Sequence, residues 1–230
     1  KFSTETGVGK IRREAAHNMR FSQLLLGYKT AFGKIIRSRG TLFAIVISIL
    51  VELVAMIGLT FWQIIASKRI GVPDTLLPIF PMARSVISII LFFTVIAHIR
   101  QTRLKWPLIG GFICSIISYL LLISVSNTGV IGYLILAISL LFDAMGSAVL
   151  STLRESLVAI HVDPEERSGI MALLQTTVMM VSVPFGYIGG LLSDISRILP
   201  FILCVFLLLI GILATTLYYQ KPYKDLTISG

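Results

Sequence analysis

Long apolar runs divided by short polar loops constrain this chain more than any other feature. Crossing the hydrocarbon core of a bilayer takes about 20 apolar residues in a helix. A helix also satisfies its own backbone amides, as lipid requires. Six such runs occur, at Thr41–Ala66, Leu77–Ile99, Trp106–Val125, Val130–Ile160, Ser168–Leu192 and Leu199–Tyr219. With 56% hydrophobic and only 13% charged residues, the chain has too little polar surface for a soluble domain. The expected fold is therefore an all-α membrane protein with six transmembrane helices. The fourth run exceeds one crossing and is expected to tilt or protrude.

The formal net charge is +9, which in a soluble protein would point to nucleic acid. Here the cations sit in the loops, so they report topology and no nucleic-acid partner is expected. One side holds the N-terminal segment, the Arg100–Lys105 loop, Arg167 and the tail with Lys221 and Lys224; the other holds only Lys68, Arg69 and Arg197. The asymmetry predicts that the first side is cytoplasmic, with both ends of the chain there, in a plasma or inner cell membrane.

Residues 1–18 read as a polar linker and residues 220–230 as a cytoplasmic tail. Between the linker and the first run, residues 19–40 place Phe21, Leu24, Leu25, Tyr28, Phe32, Ile35 and Ile36 at helical spacing, with Arg20, Lys29, Lys34 and Arg37 interleaved. That pattern predicts an amphipathic helix lying on the membrane surface. Cys114 and Cys204 fall inside apolar runs, so no disulfide framework is expected. The chain begins at Lys1, which raises the expectation that it is a piece of a longer one.

The six runs divide into two triplets, Thr41–Val125 and Val130–Tyr219. Three crossings per unit make consecutive units run in opposite senses, the arrangement of inverted repeats. The deep polar residues follow the same division. Glu52 and Asp143 lie in the first helix of each triplet, and Arg84 and Gln175 with Thr176 in the second. The third helices carry no intramembrane charge and are expected to be lipid-facing supports.

This division of labour resembles the C-terminal six-helix half of the major facilitator superfamily (MFS). "VDPEERSGIMALLQ" (Val162 to Gln175) is similar to that family's Pro-Glu-x-Arg pattern, and "PFGYIGGLLSDIS" (Pro184 to Ser196) to the end of its eleventh helix. Both follow a basic loop, "RQTRLKW", which departs from the family's loop signature in lacking its Gly and Asp. The resemblance extends over roughly Phe21 to Tyr219 and implies half of a transporter. A second six-helix half, in the same or a separate chain, would complete a solute site near the bilayer midplane.

At a rise of 1.5 Å per residue, Glu52 lies ~16 Å and Asp143 ~20 Å into their runs, Gln175 and Thr176 ~12 Å, and Arg84 ~10 Å. A polar layer is thus predicted for a substrate and proton cavity of Glu52, Arg84, Asp143, Gln175 and Thr176. Glu52 and Asp143 are expected to exchange protons or bind cationic groups, and Arg84 to bind an anion or neutralise Glu52. The structural alternative is that Glu52 and Arg84 form a buried pair and Asp143 hydrogen-bonds a neighbouring Ser or Thr.

A second group, Arg100, Arg103, Arg154, Glu155 and Arg167, is placed near the cytoplasmic ends, where ion pairs hold one conformation closed. The resemblance implies this gate role for Glu155 and Arg167. Pro184, Gly186 and Gly190 are candidates for a hinge or a close packing face. Trp62 and Trp106 read as interface anchors. His98 and His161 lack metal-ligand spacing, and "GVGK" (Gly7 to Lys10) is too short for a phosphate loop, so no metal or cofactor is expected.

The leading functional expectation is a secondary active transporter of a small solute, working by alternating access, with proton coupling through Asp143 or Glu52. The alternatives are a lipid flippase of the same superfamily and a non-transporting membrane scaffold or receptor. An intramembrane enzyme is not expected, because the runs carry neither an H-E-x-x-H motif nor a framed serine with a membrane-depth histidine.

Overall fold

The computed structural model describes residues 39–94, 104–125, 129–161 and 167–220, and all regular structure among them is helical. In chain order the elements are α1 (Arg39–Ile65) with a π-helical continuation (Ala66–Ile70), α2 (Ile79–Thr94), α3 (Lys105–Ser124), α4 (Val130–His161), α5 (Arg167–Ile195) and α6 (Leu199–Gln220). Five of them, all but α2, contain a stretch long and apolar enough to cross a membrane, which makes this a multi-pass membrane protein by length and composition.

The 16 described residues of α2 rise only about 24 Å, short of a ~30 Å hydrocarbon core. The rest of its expected run, residues 95–99, lies outside the described residues. So do the linker, the tail from residue 221 and the expected amphipathic helix, apart from residues 39 and 40, which open α1. From Phe43 onward the chain forms one compact unit.

Local sequence explains where the helices begin and stop. Pro81, Pro107 and Pro200 each fall in a first turn. The N–H that proline lacks has no intrahelical partner there, and its fixed φ already suits a helix. The π turn after α1 stops at Gly71, whose φ of 79° is left-handed. The following amide, Val72 N–H, turns back to the Ala66 carbonyl at 3.0 Å. A glycine tolerates that conformation without a Cβ penalty. Pro184 lies inside α5, which continues through it to Ile195.

Helix α3 is the centre of the packing, against α4 on one side and α6 on another. Its buried residues, Leu108, Gly111, Phe112, Ser115, Ser118, Tyr119 and Leu122, recur every three or four positions and so form one stripe. Ile113 and Leu120, off that stripe, are about half exposed. The expectation that the third helix of a triplet is only a lipid-facing support is therefore corrected for α3. Its lack of charge concealed a run of small and hydroxyl residues that lets neighbouring backbones come close. Lipid offers no hydrophobic drive between helices, so close backbone approach through small residues is what holds them.

The closest approach is at Gly146 of α4. A Cβ there would collide with Ser115 Oγ and lie 3.0 Å from the Gly111 carbonyl oxygen. Gly211 of α6 accepts the Phe112 ring in the same way, where a Cβ would stand 2.7 Å from Cζ. Because the obstacle at Gly146 is backbone, it cannot swing aside. Gly146→Val is expected to destabilise the protein by about 1–3 kcal/mol, the usual cost of overpacking. A thermal-unfolding measurement in detergent checks this, and an unchanged Tm would mean that α3 and α4 are not in close contact.

Candidate functional site

A cavity of about 530 Å³ lies between α1, α2, α3 and α4, and among the described side chains none of α5 or α6 lines it. Four charged side chains among the described residues line it: Glu52 from α1, Arg84 from α2, and Asp143 and Arg154 from α4.

They form two ion pairs, and the pairing differs from the expectation that Arg84 neutralises Glu52. Arg84 Nε donates to Asp143 Oδ2 at 2.5 Å. Arg154 Nη1 donates to Glu52 Oε2. The reason is register. Arg84 is the sixth residue of α2, and α2 packs against α4, so the deep acid within its reach is Asp143. Glu52 is left to the long side chain of Arg154.

That also moves Arg154. The sequence places it at the cytoplasmic rim with the gate group, but it turns into the cavity to meet Glu52. Its position is about 10 Å from the His161 end of α4, and arginine's long stem makes up the distance to Glu52. Asp143 and Arg154 are 11 residues apart, close to three full helical turns. One face of α4 thus presents an anion and a cation about 16 Å apart along its axis.

Among the described residues no other Asp, Glu, Lys, Arg or His lines the cavity, so the formal charges of the described lining cancel. The pairs are half-buried. The Arg84 and Asp143 side chains are 24% and 22% exposed, and Arg154 and Glu52 are 26% and 40% exposed. A charged side chain at the centre of a membrane helix costs about 2.5–3.5 kcal/mol by insertion scales. Pairing offsets that cost, and opening to a cavity lets the groups keep some hydration.

Sequence reading missed the hydroxyl lining of this cavity. Ser85, Ser88, Ser115, Ser118, Ser139, Ser147 and Ser151 all border it, as does Tyr119. The signal was present in α4, where Ser139, Asp143, Ser147 and Ser151 recur at intervals of four. Several of these hydroxyls are locally satisfied. Ser118 Oγ donates to the Ser139 carbonyl at 2.8 Å, tying α3 to α4, and Ser151 Oγ donates to the Ala148 carbonyl at 3.1 Å. Trp62, expected as an interface anchor, instead lines the cavity and packs on Phe80 with ring centroids 5.4 Å apart. Trp106 is 73% exposed in the first turn of α3, beside the Lys105 ammonium.

Of the remaining candidates, those with described side chains are not brought to the cavity. Gln175 and Thr176 are exposed on α5, and Thr176 Oγ1 donates to its own helix at the Ala172 carbonyl, 2.9 Å away. Glu155 is exposed on α4, one position past Arg154. Arg100 and Arg103 lie outside the described residues. Arg167 opens α5, with its side chain outside the described set. Gly186 and Gly189, not Gly190, are the glycines of α5 that meet α1. A Cβ at Gly189 would lie 2.9 Å from the Phe61 ring and one at Gly186 3.8 Å from Met56, while nothing lies within 4 Å of Gly190. Pro184 is exposed on the same helix.

Chemically, the site is an uncharged-overall cleft with two anion–cation pairs, a hydroxyl fringe and apolar walls that include Val51, Leu59 and Leu140. Such a cleft suits binding and charge exchange. No family model matches the chain, and neither a curated protein nor a solved structure does.

Proposed function

We propose that this chain is a six-span half of a secondary active transporter of the MFS type, moving a small solute by alternating access with proton coupling. The observation that carries this reading is the cavity itself, with two ion pairs bridging α1 to α4 and α2 to α4. Charges retained deep in membrane helices generally mark a path for ions or solutes. These pairs also join separate helices, so protonation of Asp143 or Glu52 would release an arginine and loosen one helix from another. That links proton occupancy to helix movement, as coupled transport requires.

The helix ends support the six-crossing arrangement. Phe43, near the start of α1, stacks on Tyr218, near the end of α6, with ring centroids 4.1 Å apart and planes 2° from parallel. The two ends of the bundle therefore lie side by side, as an even number of crossings demands. The excess of cations in the N-terminal segment, the Arg100–Lys105 loop and the tail favours the cytoplasm for that side. A second six-helix half packed over the exposed face of α5 would bring Gln175 and Thr176 into the pathway. Glu155 with Arg100, Arg103 and Arg167 would then act at the cytoplasmic end as the gate.

Proton flux in liposomes tests the reading. With the full-length protein reconstituted and a pH-sensitive dye trapped inside, addition of a transported solute should move protons across the membrane. A panel spanning amino acids, sugars, organic cations and lipids that produces neither solute exchange nor proton movement contradicts it.

A further inference from the structure

We infer that the cavity selects a zwitterion of the amino-acid type, one ammonium and one carboxylate on an apolar body; this rests on the transporter reading and names the solute class.

Three features lead there. The first is the charge balance of the cavity lining, two carboxylates against two guanidinium groups and no other ionised side chain among the described residues. A solute with a net charge would leave an unmatched charge in a poorly hydrated cleft, which is unfavourable. A zwitterion brings equal numbers of each sign and leaves none over.

The second is how each pair is made. Arg84 meets Asp143 through Nε and a single carboxylate oxygen. That contact uses Nε alone, leaving the two terminal nitrogens of this cavity-lining side chain out of it. Those nitrogens form the planar fork that binds a carboxylate through two parallel bonds. Asp143 keeps its second oxygen, Oδ1, for an ammonium. Arg154 and Glu52 also meet through one nitrogen and one oxygen, so the cavity holds a second receptor of the same kind. A zwitterion therefore docks on an intact pair, with its carboxylate on the arginine and its ammonium on the acid.

The third is the wall. Between the pairs the lining is largely aliphatic and aromatic, including Val54, Leu59, Trp62 and Leu122, which suits an apolar side chain. A volume of about 530 Å³ exceeds a single amino acid's needs and admits a short peptide reaching from one pair toward the other. The two sizes share one recognition chemistry and are separated by the test.

The test measures binding to the full-length protein in nanodiscs by isothermal titration calorimetry, with leucine, leucyl-alanine, and the N-acetyl and C-terminal amide forms of each as probes. One or both free zwitterions should bind. Masking either end of the better one should weaken it about 10-fold or more, since each end forms a charge-assisted contact. Arg84→Lys, which keeps the charge but loses the fork, should weaken the free carboxylate form while leaving the amide unchanged. Tighter leucine than dipeptide binding assigns the amino acid, and the reverse assigns the peptide.

Equal binding of masked and free forms, or no binding of either zwitterion, overturns the proposal. Counterflow in liposomes keeps the two readings apart. Binding without exchange counts against transport while leaving the zwitterion site standing. Exchange of a sugar or an organic cation with no zwitterion binding does the opposite.

Discussion

Asp143→Asn is expected to abolish solute-driven proton movement while the protein still inserts in the membrane. The substitution keeps the side chain's size and removes its ability to ionise. It leaves the Arg84 guanidinium without an anion. Removing one member of a buried pair costs about 3–5 kcal/mol. Both groups here are about a quarter exposed, so the lower end applies, about 3 kcal/mol.

Among the described residues, the charged and titratable groups around Asp143 are Arg84 on α2, Tyr119 on α3 and Cys204 on α6, with Glu52 and Arg154 farther along the cavity. A structural role and a coupling role separate in the double variant. Arg84→Gln with Asp143→Asn removes both charges and should restore thermal stability to near that of the parent, yet remain uncoupled. Recovery of proton movement in the double variant would show that the pair serves only to hold the fold.

The second large effect is expected at the other pair. Arg154→Glu places two acids face to face, and Glu52→Arg places two cations together. Each single variant should lose expression in the membrane fraction and all transport, because like charges in a poorly hydrated cleft repel and neither has another partner. The exchange variant, Glu52→Arg with Arg154→Glu, restores opposite charges across the same gap. Its thermal stability should return to within about 1 kcal/mol of the parent, on the scale of ordinary non-additivity for contacting residues. Singles and double behaving alike would mean that Glu52 and Arg154 do not meet.

The helical class and five helices long and apolar enough to cross a membrane were legible in the chain, because apolar length separates such helices from loops. The border of Leu199–Tyr219, for instance, falls within a residue of α6. Glu52, Arg84 and Asp143 stood out because a charge within an apolar run is costly unless it is paired or faces a polar cavity. Their partners did not stand out. Depth along a helix follows from counting residues, but which helix faces which depends on packing, and that turned on glycines such as Gly146 and Gly211 whose contacts have no periodic signature. Arg154 was misplaced for a related reason. Its Cα lies near a helix end, whereas its guanidinium lies about a side-chain length deeper. The serine lining escaped notice because serine is common in membrane helices and its hydroxyl can bond its own backbone, as Ser151 does.

In the transporter we propose, the cavity holding these pairs is a pathway opened in turn to each side of the membrane. Ser147 borders it between Asp143 and Arg154 on α4. With Cys114 and Cys204 replaced by alanine, Ser147→Cys can be probed with a membrane-impermeant thiol reagent in right-side-out and inside-out vesicles. Alternating access predicts labelling from both sides, with the balance shifting when a pH gradient is imposed. Labelling from one side only, unchanged by the gradient, would contradict it.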